Sequence, residues 1–381
     1  MLRIAHFGTF DVNNYGDLLF PHIAEYRLPN HKWEHISPTN RLTAFKDSKP
    51  IISFEEAKNR NYDAMVTGGG NIVHLSYNNK TVYKSIKGFS YANLWVGAAK
   101  LAIKNKIPHI FNAPGVSENF TTFFKRKIAK TVFRKSEYVS FRENLSLKLV
   151  SKLSNNKFNI SIVPDTAFEI NKLWPIKSHE KGSYITVNLN ERYHTPINKT
   201  ASALDKLSEK FNLPIKFVVI GACHGDKEFT AKVSKKMTSK HEIVESNELK
   251  KMALTIGEGR FFLGSSMHGF ITALSYSVPT ILVLNNKPMH KFIGLLELTG
   301  IHKNSICCSF EDALSVTHPA FLTEIVKKKI ESQLNLHWST VDKAIKTGNA
   351  PSYSFFICCY EKLLDLNLKF YRILKKLNLK K

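Results

Sequence analysis

RFFLGSSMHGFITALSY, residues 260–276, joins an apolar run (Arg260–Gly264) to a helical stretch of small residues (Gly269–Tyr276) through two serines, a methionine and a histidine. A short apolar run closed by glycine and followed at once by a 3.6-residue period is the strand-to-helix step of a βαβ unit. Such a turn sets the hydroxyls of Ser265 and Ser266, with nearby backbone N–H groups, at a helix N-terminus, where an anion is favoured. It also sets His268 where the ring can exchange a proton with a bound ligand. The helix end disfavours an imidazolium, pushing the ring toward neutrality unless an anion offsets the effect. A lone histidine is more often structural than catalytic. The glycine on each side and the strand-to-helix context tip this one toward chemistry.

The same step recurs along the chain. In the first half, apolar runs at Arg3–Gly8, Ala64–Gly68, Ile107–Gly115, Tyr138–Arg142 and Ser161–Phe168 read as strands. Helical periods fall between them at Asp17–Leu28, Tyr91–Asn105, Phe123–Lys135 and Asn144–Leu153. Asn171–Gly182 is a polar stretch with a proline and a glycine, and reads as a linker. The pattern then restarts, with strands at Tyr184–Asn188, Lys216–Gly221, Arg260–Gly264 and Thr280–Leu284. Helices are expected at Ala201–Phe211, Asp226–Thr238, Glu248–Ile256, Gly269–Tyr276 and His290–Leu298. Strands alternating with helices imply parallel sheets. The fold class is therefore α/β, with two Rossmann-like domains (1–172 and 182–330) facing a cleft, followed by a basic helical tail (331–381). Ligands of such sheets sit outside the carboxyl ends of the strands.

A chain of 381 residues, 43% hydrophobic and 23% charged, is long enough for two ordinary α/β domains. MLRIAHFG at the start has no apolar core or cleavage site of a signal peptide, and no stretch has the apolar length of a membrane span. A cytoplasmic location is expected. The cysteines are Cys223, Cys307–Cys308 and Cys358–Cys359, an odd number with two adjacent pairs and no metal-ligand spacing. They read as small buried hydrophobes in a reducing compartment. The net charge of +24 would suit an anionic substrate, an anionic lipid surface or nucleic acid, but no nucleic-acid-binding motif accompanies it. From Tyr360 to Lys381, Leu363, Leu366, Phe370, Ile373, Leu374 and Leu377 recur at helical spacing among lysines and arginines. That basic amphipathic helix either lies on an anionic membrane surface or packs on the protein body.

Other strand ends carry weaker signals. Gly8–Asp17, GTFDVNNYGD, is small and polar before a helix, so Asn14 and its neighbours can approach an anion; Asp17 serves equally well as a helix N-cap. Gly68-Gly69-Gly70-Asn71 permits positive φ and close backbone approach to a ligand, or makes a tight turn. Arg142, at the end of a strand, can grip phosphate or carboxylate, or pair with Glu143 on the surface. Asp165 reads as a loop tie. Lys291 opens a helix within reach of an anion, or is a surface lysine.

Together these segments resemble the polysaccharide pyruvyl transferase family: NNYGD, GGGN, APG, SFREN, PDTAF, GSSMHGFITALSYSVPTILV and HKFIGLLELTGI, in order over roughly residues 3–300. The resemblance implies a GT-B-like pair of domains and transfer of pyruvate from phosphoenolpyruvate onto two hydroxyls of a glycan or lipid-linked sugar, forming a cyclic ketal. It implies no metal and no organic cofactor. On this resemblance His268 is the expected general acid/base and Asp17 a base toward the sugar. Arg142, Lys291, Ser265 and Ser266 are expected to hold the donor, with Asn14, Gly69, Gly70 and Asn71 completing the substrate site. Many relatives have arginine where this chain has Ser266, a difference that bears on donor identity. Two other readings stand beside it: a GT-B glycosyltransferase using a nucleotide sugar, and an inactive membrane-peripheral binding protein of a glycan locus.

Overall fold

The computed structural model describes residues 1–153, 158–176, 182–191, 196–221, 225–244, 246–284, 290–301, 306–316 and 319–376, with backbone alone for residues 80, 290, 291 and 374–376. The first lobe carries strands β1 (Arg3–Phe7), β2 (Lys32–Ser37), β3 (Ile51–Ser53), β4 (Ala64–Gly68), β5 (His109–Asn112), β6 (Ser140–Phe141) and β7 (Ser161–Ile162). The first five form a parallel sheet in the order β3-β2-β1-β4-β5. Phe111 N–H donates to the Tyr138 carbonyl (2.8 Å) and Glu137 N–H to that of His109 (2.8 Å), which sets β6 and its parallel neighbour β7 along the far edge of β5. The second lobe carries β8 (Ile185–Asn188), β9 (Ile215–Phe217), β10 (His241–Ile243), β11 (Phe261–Gly264), β12 (Thr280–Val283) and β13 (Ile306–Cys307). They pair in parallel in the order β10-β9-β8-β11-β12-β13.

The two sheets share one topology: each steps outward from its first strand, then returns to build on the other side. That gives each a switch point, between β1 and β4 and between β8 and β11, where the loops diverge and leave a crevice. The longer helices are α1 (Tyr15–Arg27), α2 (Ala98–Asn105), α3 (Phe123–Lys135), α4 (Asn144–Ser151), α5 (Ile197–Phe211), α6 (Asp226–Ser234), α7 (Leu249–Glu258), α8 (Met267–Ser275), α9 (His290–Thr299), α10 (Glu324–Thr347) and α11 (Tyr360–Lys376). None of the described helices is long and apolar enough to cross a membrane.

Some expectations need correction. Strands β2, β3, β10 and β13 had no apolar run to announce them: KWEHIS is charged and aromatic, and the others are two or three residues long near sheet edges. Helix α1 begins at Tyr15, so Asn14 occupies the cap position and Asp17 lies inside the first turn. The apolar run at 161–168 is only briefly a strand; Asp165 accepts from Ala167 N–H and turns Thr166–Glu169 into a 3₁₀ segment. Of the described cysteines only Cys307 is buried, and Cys308 is exposed; Cys223 lies outside the described residues.

Helix α10 crosses residue 330 and packs back on the first lobe. Its Leu334, Trp338, Val341 and Ile345 join the hydrophobic core that α1 also builds. Trp338 Nε1–H donates to Glu169 (2.7 Å), which also pairs with Arg27 (3.1 Å). His337 Nε2–H donates to Asn112 Oδ1 (2.7 Å) at the end of β5. Burial pushes His337 down to about 3, assisted by Arg27, and burial alone does the same to His109. Both folded pKa values lie below the unfolded 6.5, so the unfolded chain binds protons first as pH falls. Stability is full above about pH 6.5 and declines below it, by roughly 1.4 kcal/mol per pH unit for each ring. Urea unfolding is expected to show the midpoint falling between pH 6.5 and 4.5, with a shallower fall in His109→Gln. A flat profile over that window would refute the assignment.

Candidate active site

The loops at the two switch points face each other across a cleft of about 930 Å³, lined from the first lobe by Asn14, Asp17, Asn71 and Arg142 and from the second by Ser265, Ser266 and His268. Volume at the upper end of the range for a small-molecule pocket accommodates two small substrates at once. Helices α1 and α8 both begin at this cleft, one from each lobe, so two partial positive charges converge on it.

His268, in the first turn of α8, contacts both lobes. Asp165 Oδ2 lies 3.8 Å from its Nε2. The Phe20 ring stands edge-on at 5.7 Å. On another side lies the backbone of α1: a Cβ on Gly16 would fall 1.8 Å from His268 Nδ1. The ring thus sits at the seam between the lobes with the cleft beside it. Further contacts fix the seam, since Tyr15 N–H donates to the Ile220 carbonyl (3.0 Å) and the Tyr15 and Thr272 hydroxyls lie 3.0 Å apart.

Arg142 is buried, and its partner is Asp165 (Nη1 to Oδ2, 2.8 Å), not Glu143. Glu143 instead accepts from the Ser146 hydroxyl (3.0 Å). Burial opposes the guanidinium charge, but Asp165 and Glu143 outweigh it and hold the pKa above its ordinary value. Arg142 Nε has no hydrogen-bond partner among the described residues. Asp165 therefore stands between a guanidinium and an imidazole from opposite lobes. Its place at a strand end implied only a tying role; its closeness to His268 is a tertiary fact.

The motif glycines make room for these side chains. Gly70 (φ +69°) would set a Cβ 2.7 Å from Asp17 Oδ1, and one on Gly115 would lie 3.2 Å from Arg142 Nε and 2.9 Å from Asn71 Oδ1. Gly69 (φ +75°) sits against Phe20, which in turn packs on His268. Gly69 and Gly70 thus shape the site from behind it. Asn14 Nδ2–H donates to Asp17 (2.8 Å) and leaves the helix end uncapped by its side chain. Ser265 donates its O–H to the Val283 carbonyl (2.7 Å), whereas Ser266 caps α8 by accepting from Gly269 N–H (3.2 Å). Ser266 can therefore still donate its O–H to a ligand; Ser265 has spent its proton. Lys291 falls in the first turn of α9, and its side chain lies outside the described residues. Glu258, a second-lobe carboxylate, ends α7 away from the cleft lining, and Glu245 lies outside the described residues.

Sequence reasoning missed the first-lobe wall. Asp11 is buried, accepts from Tyr83 Oη–H (2.6 Å) and from Thr39 N–H (2.9 Å), and is raised above the usual carboxylate range by burial. The His74 and Tyr91 rings lie 4.0 Å apart, and burial with nearby Lys125 lowers His74 to about 4. Asp11, His74, Tyr83 and Tyr91 all line the cleft. Residues 74–89 follow β4 as an irregular stretch with one 3₁₀ turn at Asn78–Lys80, so no period marked them, whereas Tyr91 falls at the start of the expected helical stretch Tyr91–Asn105.

Among solved structures the chain is similar to the putative UDP-N-acetylglucosamine 2-epimerase from Listeria monocytogenes (TM-score 0.54, 10% identity, covering 93% of this chain and 99% of that one). It is also similar to the Rickettsia bellii UDP-N-acetylglucosamine 2-epimerase (0.52, 12%, 91% and 99%) and to S. aureus MnaA in a co-structure with UDP (0.51, 11%, 100% and 98%). At such identities the likeness shows a shared GT-B-like fold. No curated protein matches the sequence. The family model for polysaccharide pyruvyl transferase matches residues 10–288, a span holding each of the cleft-lining motifs described above. The chain belongs to the polysaccharide pyruvyl transferase family.

Proposed function

We propose that the chain transfers pyruvate from phosphoenolpyruvate to a sugar of a cell-surface glycan as a cyclic ketal, at the cytoplasmic side of a membrane that carries a lipid-linked acceptor. The observation that supports this most is the Arg142–Asp165–His268 cluster at the seam of the lobes, beside two helix N-termini. Phosphoenolpyruvate carries a phosphate and a carboxylate. Arg142, through the Nε and Nη2 edge that Asp165 leaves open, would take one anionic group, while Ser266, the α8 N-terminus and Lys291 take the other. His268 would deliver a proton to the methylene carbon, leaving C2 cationic. A sugar hydroxyl attacks C2 and gives its proton to Asp17. Phosphate departs with the C2–O bond pair, a second hydroxyl closes the ring, and its proton returns to His268. One proton is added at carbon and two are released from the hydroxyls, so the surplus proton leaves with phosphate. Asp11, Tyr83, Tyr91 and His74 offer the aromatic and hydrogen-bonding wall a sugar needs.

Phosphate release from phosphoenolpyruvate against a panel of sugar acceptors tests the reading. Wild type is expected to release phosphate only when an acceptor is present, and His268→Ala to lose about 10²–10⁴-fold in rate. Because the fold neighbours include a protein captured with UDP, thermal shifts with UDP sugars belong in the same experiment. Stabilisation by UDP sugars without any by phosphoenolpyruvate would defeat the proposal in favour of glycosyl transfer.

A further inference from the structure

Helices α3 and α11 pack against one another although they lie far apart in the sequence. Each uses one stripe for packing: Ile128, Ala129, Val132 and Phe133 on α3, and Tyr360, Leu363 and Leu364 on α11. The opposite stripes face outward. On α3 that stripe is Phe123, Lys127, Lys130 and Arg134, spaced i, i+4, i+7, i+11, with Arg126 exposed beside it. On α11 it is Lys362, Leu366, Lys369 and Ile373 at the same spacing, with Phe370 next to them. Outward stripes of soluble helices are ordinarily polar. Here Phe123 is 63% exposed, Phe370 64% and Ile373 53%, each set among cations. Helix α3 has no acidic residue, and from Leu366 to Lys381 the sequence has none either. The crowding has an electrical signature: Arg134, Lys127 and Arg126 add to desolvation in lowering the Lys130 pKa.

We infer that these two helices form a single docking face for an anionic lipid bilayer. Apolar side chains between cations suit the headgroup boundary, where rings and aliphatic tips enter the acyl region and ammonium and guanidinium groups meet lipid phosphate. A purely electrostatic partner would leave Phe123, Phe370 and Ile373 unexplained, and a purely apolar one would leave the cations. The face also begins at the cleft. Lys125, in the first turn of α3, pairs with Glu118, which lines the site. On the glycan reading above, a lipid-linked acceptor held at the bilayer would meet the cleft at that rim.

The test uses the full chain in sedimentation with phosphatidylcholine vesicles, with and without phosphatidylglycerol, at low and high salt. Binding is expected only with phosphatidylglycerol and should weaken as salt rises. Arg126→Gln with Lys127→Gln is expected to weaken it about 25-fold, at about fivefold per cation. Phe370→Ser with Ile373→Ser is expected to weaken it at least about tenfold. All four residues are exposed, so unchanged thermal midpoints accompany these losses. Failure to bind phosphatidylglycerol vesicles overturns the inference, as does unchanged binding of the α3 pair. A dimer that Phe370→Ser dissolves, without vesicle binding, would assign the face to a second copy of the chain. Phosphate release with a soluble acceptor, measured on the same variants, reports the catalytic reading separately and is expected to be unaltered.

Discussion

Gly16→Ala is expected to lower phosphate release by about 100-fold and to destabilise the protein, although the same change in most helices does the opposite. In an ordinary helix alanine gains up to about 1 kcal/mol over glycine. Gly16 carries no left-handed φ, so its backbone would accept alanine. The obstacle is the other lobe: the new Cβ would overlap His268 Nδ1 at 1.8 Å. Relief requires either rotation of the imidazole or a parting of the lobes. Overpacking of this kind costs about 1–3 kcal/mol, more than the helix gains. Moving a proton-transfer group by about 1 Å is enough for a 100-fold loss. The check is kcat/KM by phosphate release alongside the thermal midpoint. A Gly16→Ala protein of normal activity and raised midpoint would show that the seam does not close on His268 as described.

Asp165→Asn is expected to have the largest effect on stability of any single change at the site, a loss of about 3–5 kcal/mol. Asp165 and Arg142 are both buried, and removing the carboxylate strands a guanidinium in a dry place. Activity should fall with it, since Arg142 and His268 lose the group between them. Stability and activity are separable by a second variant. Arg142→Met with Asp165→Leu replaces the pair by apolar groups and should recover most of the stability, because buried ion pairs contribute little net free energy. That double variant should remain inactive if Arg142 holds the donor. Chemical denaturation of the single and double variants, with phosphate release on each, makes the comparison. Activity in the double variant would remove Arg142 from the proposed chemistry.

Much of the architecture was legible along the chain because parallel strands buried on both faces are short unbroken apolar runs. AMVTG, HIFN, ITVN, FFLG and TILV are such runs, and each is a strand. Glycine ends and helical periods then gave the alternation and both lobes. KWEHIS at 32–37 was not legible because its exposed and half-buried first half carries charge and breaks the apolar run, and β3, β10 and β13 were not because strands of two or three residues at or near a sheet edge show no period.

The site was legible as a set of segments and not as an arrangement. Local chemistry brought forward His268, Arg142, Asp17 and the serines, since a strand end followed by a helix is where a ligand binds whatever the rest of the fold does. Spacing along the chain carries no information about which loop of one lobe meets which loop of the other. That Gly16 lies against His268, that Asp165 reaches the imidazole, and that α10 returns to seal the first lobe all depend on residues more than a hundred positions apart. Two Rossmann-like halves were written in the sequence by periodic burial. Their seam was decided only by tertiary packing, because the free energy that fixes it comes from contacts between surfaces that no local pattern records.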